Sequence, residues 1–105
     1  MPQFALYRNA NLRSGRVFPL LVDVQAELLS GLQTRVVVPL ARAAAPDRFP
    51  LTYLTPTVVF EGKSYVLMTP QLAGIARAEL GPHVGSLADQ HSVISAAVDF
   101  LTRGF

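Results

Sequence analysis

The sequence predicts an α+β fold, mainly an antiparallel β-sheet with one helix packed on it, from three observations. Short runs rich in β-branched and aromatic residues recur along the chain, each bounded by turn residues. Two of these runs flank Glu61-Gly62-Lys63, the arrangement of a β-hairpin. The last stretch, Ser86 to Phe105, carries the chain's one long helical period. Strands first and a helix last make a layered domain with the helix laid on the sheet.

In chain order, Phe4-Ala5-Leu6-Tyr7 opens as a short strand, and Asn9 to Gly15 follows as a polar, turn-rich loop with two arginines at its rim. Val17 to Val24 reads as the next strand. Phe18, Leu20, Val22 and Val24 fall on one face, with Pro19, Leu21 and Asp23 on the other. Pro19 cannot donate to a ladder, so it belongs at the strand's start or on an edge-facing side. Asp23 is either solvent-facing or buried with a partner. Ala26 to Ser30 fits a helical turn closed by Gly31. Thr34 to Leu40 is the strongest strand signal, and its unbroken β-branched run predicts burial on both faces. Ala41 to Pro50 loses all pattern and reads as a surface loop carrying Arg42 and Arg48.

Thr57 to Phe60 and Ser64 to Met68 form the hairpin. Gln71 to Gly74 turns, Ile75 to Ala78 is the last predicted strand, and Gly81-Pro82 breaks the chain before the helix. Ser86 supplies a capping hydroxyl with Asp89 three positions on. Leu87, Ile94, Val98 and Leu101 then make an apolar face, widened by Val93, Ala97 and Phe100, with Ser92, Ser95, Asp99 and Arg103 opposite. Gly104 stops the helix in a left-handed cap. Such a helix seals a core; ending on Arg103-Gly104-Phe105, it also presents a tip.

At 105 residues the chain is expected to be a single domain over 1–105. Half its residues are hydrophobic and only 15% are charged, which excludes a disordered chain. No apolar run approaches a membrane span, and the N-terminus lacks the basic lead of a signal peptide. The absence of cysteine excludes disulfide and thiolate chemistry and fits a reducing cytoplasm. The net charge of +2 is too small to argue nucleic-acid binding. Its distribution says more: residues 1–60 hold six arginines against three acids, and residues 61–105 hold three bases against four acids. A basic N-terminal half suits an acidic partner segment or a phosphate backbone.

Catalytic constellations are sparse. There is no phosphate-cradling glycine loop, and His83 and His91 lack the spaced neighbours of a zinc site, so neither metal nor cofactor is expected. Arg35 with Thr34 is the one pair that suits phosphodiester cleavage, the guanidinium stabilising developing charge. Residue chemistry alone points to a protein that acts by binding rather than an enzyme.

Taken as a string, Phe4-Ala5-Leu6-Tyr7, Leu21-Val22-Asp23-Val24-Gln25, Arg35-Val36-Val37-Val38-Pro39-Leu40, Pro56-Thr57-Val58-Val59-Phe60, Leu67-Met68-Thr69 and Ala97-Val98-Asp99-Phe100-Leu101 through Gly104-Phe105 resemble the CcdB toxin family in order and spacing. The resemblance covers essentially the whole chain. It implies a small cytoplasmic toxin of a type II toxin–antitoxin pair: a homodimer with an SH3-like barrel, a protruding hairpin within Thr57 to Met68 and a C-terminal helix near the dyad. It further implies binding to the A subunit of DNA gyrase within the cleaved-DNA complex. Its partner is a CcdA-like antitoxin that wraps the dimer, toxin and antitoxin together repressing their operon at its operator DNA. The RNA-cleaving MazF toxins share this general fold, which leaves an endoribonuclease as an alternative.

The family's gyrase-contacting end reads Trp-Gly-Ile, and the matching positions here are Arg103, Gly104 and Phe105, with Asp99 one turn earlier. The family tryptophan stacks on an arginine of gyrase, so Arg103 in its place sets cation against cation. The resemblance therefore implies gyrase poisoning or, alternatively, a CcdB-fold protein with lost or changed targeting. For the antitoxin, the expected surface is the arginine-bearing part of the chain, namely Arg8, Arg13, Arg42 and Arg48.

Overall fold

A computed structural model of the chain describes residues 2–43 and 53–104. Seven strands are formed: β1 (Ala5–Asn9), β2 (Leu20–Asp23), β3 (Thr34–Arg42), β4 (Thr57–Phe60), β5 (Lys63–Leu67), β6 (Ala73–Ala76) and β7 (Leu80–Ser86). One helix, α1 (His91–Arg103), follows them. All pairings are antiparallel, in the order β4-β5-β3-β2-β1-β7, with β6 beside the first half of β3. The predicted α+β class is the observed one. The sheet curls until a side chain from one edge reaches the other without pairing: the Phe60 ring on β4 lies against Gly85 on β7, where a β-carbon would collide with it. The result is a half-barrel with α1 across its concave face.

Alternation on the strands sorts side chains to two faces. Leu6, Leu20, Val22, Val38, Leu40, Val58, Tyr65 and Leu67 point into the core, which Leu87, Ile94 and Ala97 close from the helix side. Tyr7, Leu21, Asp23, Arg35, Val37 and Pro39 occupy the opposite face and are also buried. The prediction that β3 is covered on both sides is thus met.

Pro39 sits mid-strand in the centre of the sheet, a placement that normally costs a ladder bond. Its location explains the tolerance. On that side β3 pairs with β6 over Thr34 to Val37 and with β5 over Leu40 to Arg42, so position 39 falls at the seam between two partners. The Pro39 carbonyl accepts Met68 N–H at 2.9 Å, and the N–H that proline lacks would point the same way.

The predicted hairpin forms around a two-residue turn in which Glu61 (φ 52°) and Gly62 (φ 76°) are both left-handed, the twist that suits paired strands. β4 is an edge strand, and a side chain blunts it. The Gln90 amide accepts Val59 N–H at 2.9 Å and donates to the Val59 carbonyl at 2.8 Å, standing in for a neighbouring backbone.

Four expectations are corrected. β2 is shorter than Val17 to Val24: Val17 and Phe18 belong to the preceding loop, and Pro19 directly precedes the strand. β6 begins two residues earlier than Ile75 and Arg77 to Glu79 is a 3₁₀ turn, because Ala73 and Gly74 complete the ladder with Val37 and Val36. Gly81-Pro82 does not break the chain but lies inside β7. That strand is at the sheet edge, and its register with β1 shifts on both sides of Tyr7, so Pro82 falls at an irregularity where no N–H is required. Finally, Ser86 does not cap the helix: its hydroxyl accepts Ala88 N–H at 3.1 Å ahead of a 3₁₀ turn over Ala88 to Gln90, and α1 starts only at His91. At the other end Gly104, φ 83°, donates to the Phe100 carbonyl, the predicted left-handed cap.

Gly81 matters for a steric reason: a β-carbon there would collide with the Arg8 carbonyl on β1. Backbone cannot swing aside as a side chain can. Gly81→Ala is therefore expected to cost about 1–3 kcal/mol in chemical denaturation, whereas Gly74→Ala, with open space at the β-carbon, should leave the midpoint within about 0.5 kcal/mol. Equal effects at the two glycines would refute the steric account.

Candidate functional site

The helix tip is the first candidate surface. Only Ile94 and Ala97 of α1 are fully buried. Val98 is half-buried, while Val93, Phe100 and Leu101 remain 44%, 38% and 39% exposed. The apolar face predicted for this helix is therefore wider than this chain's own sheet covers, and part of it stays in contact with solvent. Arg103 and Gly104 are exposed at the end of the helix, and Phe105 lies outside the described residues. Asp99 lines a cleft of about 160 Å³ with Gln3, Val24, Ser95 and Val98.

Beside that cleft the turn after β2 carries leucines the sequence reading did not single out. Gln3 ties the N-terminal segment to this turn, its side-chain amide donating to the Val24 carbonyl at 3.1 Å and its N–H to Glu27 Oε1 at 3.3 Å. Leu28 is 97% exposed, and Leu29 and Leu32 are 49% exposed. The available signal was a pair of adjacent leucines in a one-turn segment, too short to bury both.

The arginines expected to meet an antitoxin gather at the other end of the sheet. Arg8 lies near the C-terminal end of β1 and Arg42 at that of β3, and these strands run parallel on either side of β2. Arg13 is on the loop that leaves β1; all three are exposed, and Arg48 lies outside the described residues. That loop is well braced. Asn9 Nδ2 donates to Ser14 Oγ and to the Phe18 carbonyl, both at 2.9 Å, and Asn11 Oδ1 accepts the N–H groups of Arg13 and Ser14. Between the loop and β6 runs a groove of about 460 Å³.

Asp23 and Arg35, left open by the sequence, form a buried pair. Both are 0% exposed; Asp23 Oδ2 accepts Arg35 Nε at 2.8 Å and lies 2.6 Å from Nη2, and Oδ1 accepts Gln25 N–H at 3.0 Å. Arg35 is thus turned inward onto Asp23 and is not presented to solvent beside Thr34. Nearby, Tyr7 packs its ring 5.4 Å from that of His83. Burial pushes the Tyr7 hydroxyl above its usual value of 10.0, helped by the Asp23 charge and partly offset by Arg35 and Arg77. A raised folded-state value means that Tyr7 favours folding below pH 10 and loses this contribution as pH rises through the shifted value. Alkaline unfolding should accordingly be shallower in Tyr7→Phe; an unchanged pH dependence would show that Tyr7 does not govern it.

His91 Nδ1 lies 2.8 Å from the Ala88 carbonyl at the start of α1. Among the described residues no group of three or more His, Asp or Glu side chains is placed to hold a metal, and no helix is long and apolar enough to cross a membrane. No curated protein matches the chain. A family model, that of the CcdB protein, matches residues 3–104. With the match running through every strand and the helix, the chain belongs to the CcdB family, the toxins of toxin–antitoxin pairs.

Proposed function

We propose that this toxin acts by binding rather than by catalysis, and that it binds the A subunit of DNA gyrase and poisons the gyrase–DNA cleavage complex. The observation that carries this reading is the helix tip: Val93, Phe100 and Leu101 lie open along α1, which ends on an exposed, left-handed Gly104. Family membership supplies the target class. The same uncovered face supports a homodimer, since a dyad near α1 buries side chains that a lone chain leaves in water. In the cytoplasm the dimer is neutralised by an acidic antitoxin drawn to the arginine-bearing end of the sheet, and the two together repress their operon.

Overexpression should arrest growth with double-strand breaks, and the purified protein should bind a gyrase A fragment. Unaffected growth together with no detectable complex would remove this reading. A second reading is favoured by one residue. Arg103 stands where the family carries tryptophan, and a protein of this family with changed targeting would keep the antitoxin interaction while losing gyrase. Restored growth on antitoxin co-expression, without any gyrase complex, would select that alternative. Release of RNA fragments by the purified protein would instead sink both.

A further inference from the structure

We propose that the groove beside β6 receives an extended, acidic segment of the antitoxin, added as a strand to the β6 edge with an apolar side chain seated in the groove; this rests on the antitoxin reading above. The first observation is the edge itself. Among the described residues β6 pairs only with β3, and Ala73, Gly74 and Ala76 are exposed. Where the β4 edge is clamped by Gln90, β6 carries no proline, no charge and, among the described residues, no side-chain clamp. An unguarded edge of this kind is a template for a further strand.

The second observation is the groove. Its floor is apolar, formed by Leu21, Val37 and Ile75, and its rim is polar, with Asn11, Ser14 and Glu79. At about 460 Å³ it is large enough for one or two aliphatic side chains. Because side chains of a strand alternate, a segment paired with β6 sends every second residue toward the groove side and the others toward solvent.

Charge chooses the occupant. Arg13 and Arg16 project from the loop that walls the groove, and Arg77 follows β6 directly; all three are exposed. Against them, among the described residues that line the groove, stands the single carboxylate of Glu79 on the rim. A second copy docked edge to edge would bring a second set of the same arginines, so like charge disfavours self-pairing and an acidic segment is favoured.

The test uses the isotopically labelled full chain and synthetic ten-residue peptides alternating Glu or Asp with Leu or Val, beside the same peptides with Lys for the acids. Saturable binding of the acidic set, with amide shifts and exchange protection confined to residues 73–76 and the groove, is expected. So is a loss of at least about tenfold for the Lys set and for Ile75→Glu. Arg13→Glu, on an exposed loop, repeats the comparison without touching a half-buried position. No binding, shifts elsewhere, equal binding of both sets, or concentration-dependent β6 shifts without peptide would each overturn the proposal. Co-expression of the antitoxin separates the two levels. Neutralisation that survives Ile75→Glu and Arg13→Glu discards the β6 site while the antitoxin reading stands; failure of any antitoxin to restore growth removes that reading itself.

Discussion

Asp23→Ala is expected to lower folding stability by about 3–5 kcal/mol, read as a shift of the urea midpoint at unchanged slope. The reason is what the substitution leaves behind. Arg35 is fully buried, and Asp23 is its only ion-pair partner among the described residues. Without the carboxylate a full positive charge stays in the interior, and the chain must either hold it there or open to hydrate it. The damage also spreads along the backbone. Asp23 accepts Gln25 N–H, Gln25 Oε1 accepts Val36 N–H at 3.0 Å, and Gln25 Nε2 donates to the Leu29 carbonyl at 2.8 Å. One carboxylate thus orders the whole connection from β2 to β3, including the turn that exposes Leu28 and Leu29.

The pair itself need not be worth that much. Replacing both partners with apolar residues of similar volume, Asp23→Leu with Arg35→Met, removes the buried charges together and should recover most of the loss. A double variant as unstable as Asp23→Ala would show that the hydrogen bonds to Gln25, rather than the uncompensated charge, dominate. Asp23→Ala as stable as the parent would overturn the account entirely.

This pair marks where the sequence stops being legible. That a carboxylate between two valines needs a partner if buried follows from elementary energetics; that the partner is Arg35, twelve positions away, depends on the β2–β3 register. β3 and the hairpin were readable because their signals are local: β-branched runs and a turn with two left-handed residues. β7 was not, since Gly81-Pro82 is a breaker in isolation and becomes a strand only at a sheet edge, against an irregular stretch of β1. The helix shows the same division. Its period located Ile94 and Ala97 in the core, but no period says how far the sheet reaches, and Val93, Phe100 and Leu101 lie beyond it. The helix-tip residues are named from family resemblance and the arginines from charge, neither from a local pattern, and the exposed leucines after β2 give no such signal because exposure is a tertiary fact.

Arg103→Trp is expected to tighten binding to a gyrase A fragment by roughly tenfold to hundredfold, about 1–3 kcal/mol. The substituted position is exposed in the last turn of α1 and outside the core cluster, so the fold should tolerate the change. Losing a cation near the helix C-terminus costs about 0.3–1 kcal/mol of helix stability, less than the expected gain in binding. The gain has two sources. On the gyrase and dimer readings proposed above, an aromatic face offers a target arginine a favourable quadrupole where a guanidinium offers repulsion, and the two copies present the position twice. Salt separates them from general stickiness: the parent's affinity should improve as ionic strength rises and screens the repulsion, while the tryptophan variant should respond weakly. If the native protein already binds gyrase tightly and Arg103→Trp adds nothing, position 103 does not touch gyrase. The grip would then fall to the apolar side chains the fold leaves open, Phe100 and Leu101 on the helix or Leu28 and Leu29 beside it, and truncating these to alanine would be the change that abolishes the complex.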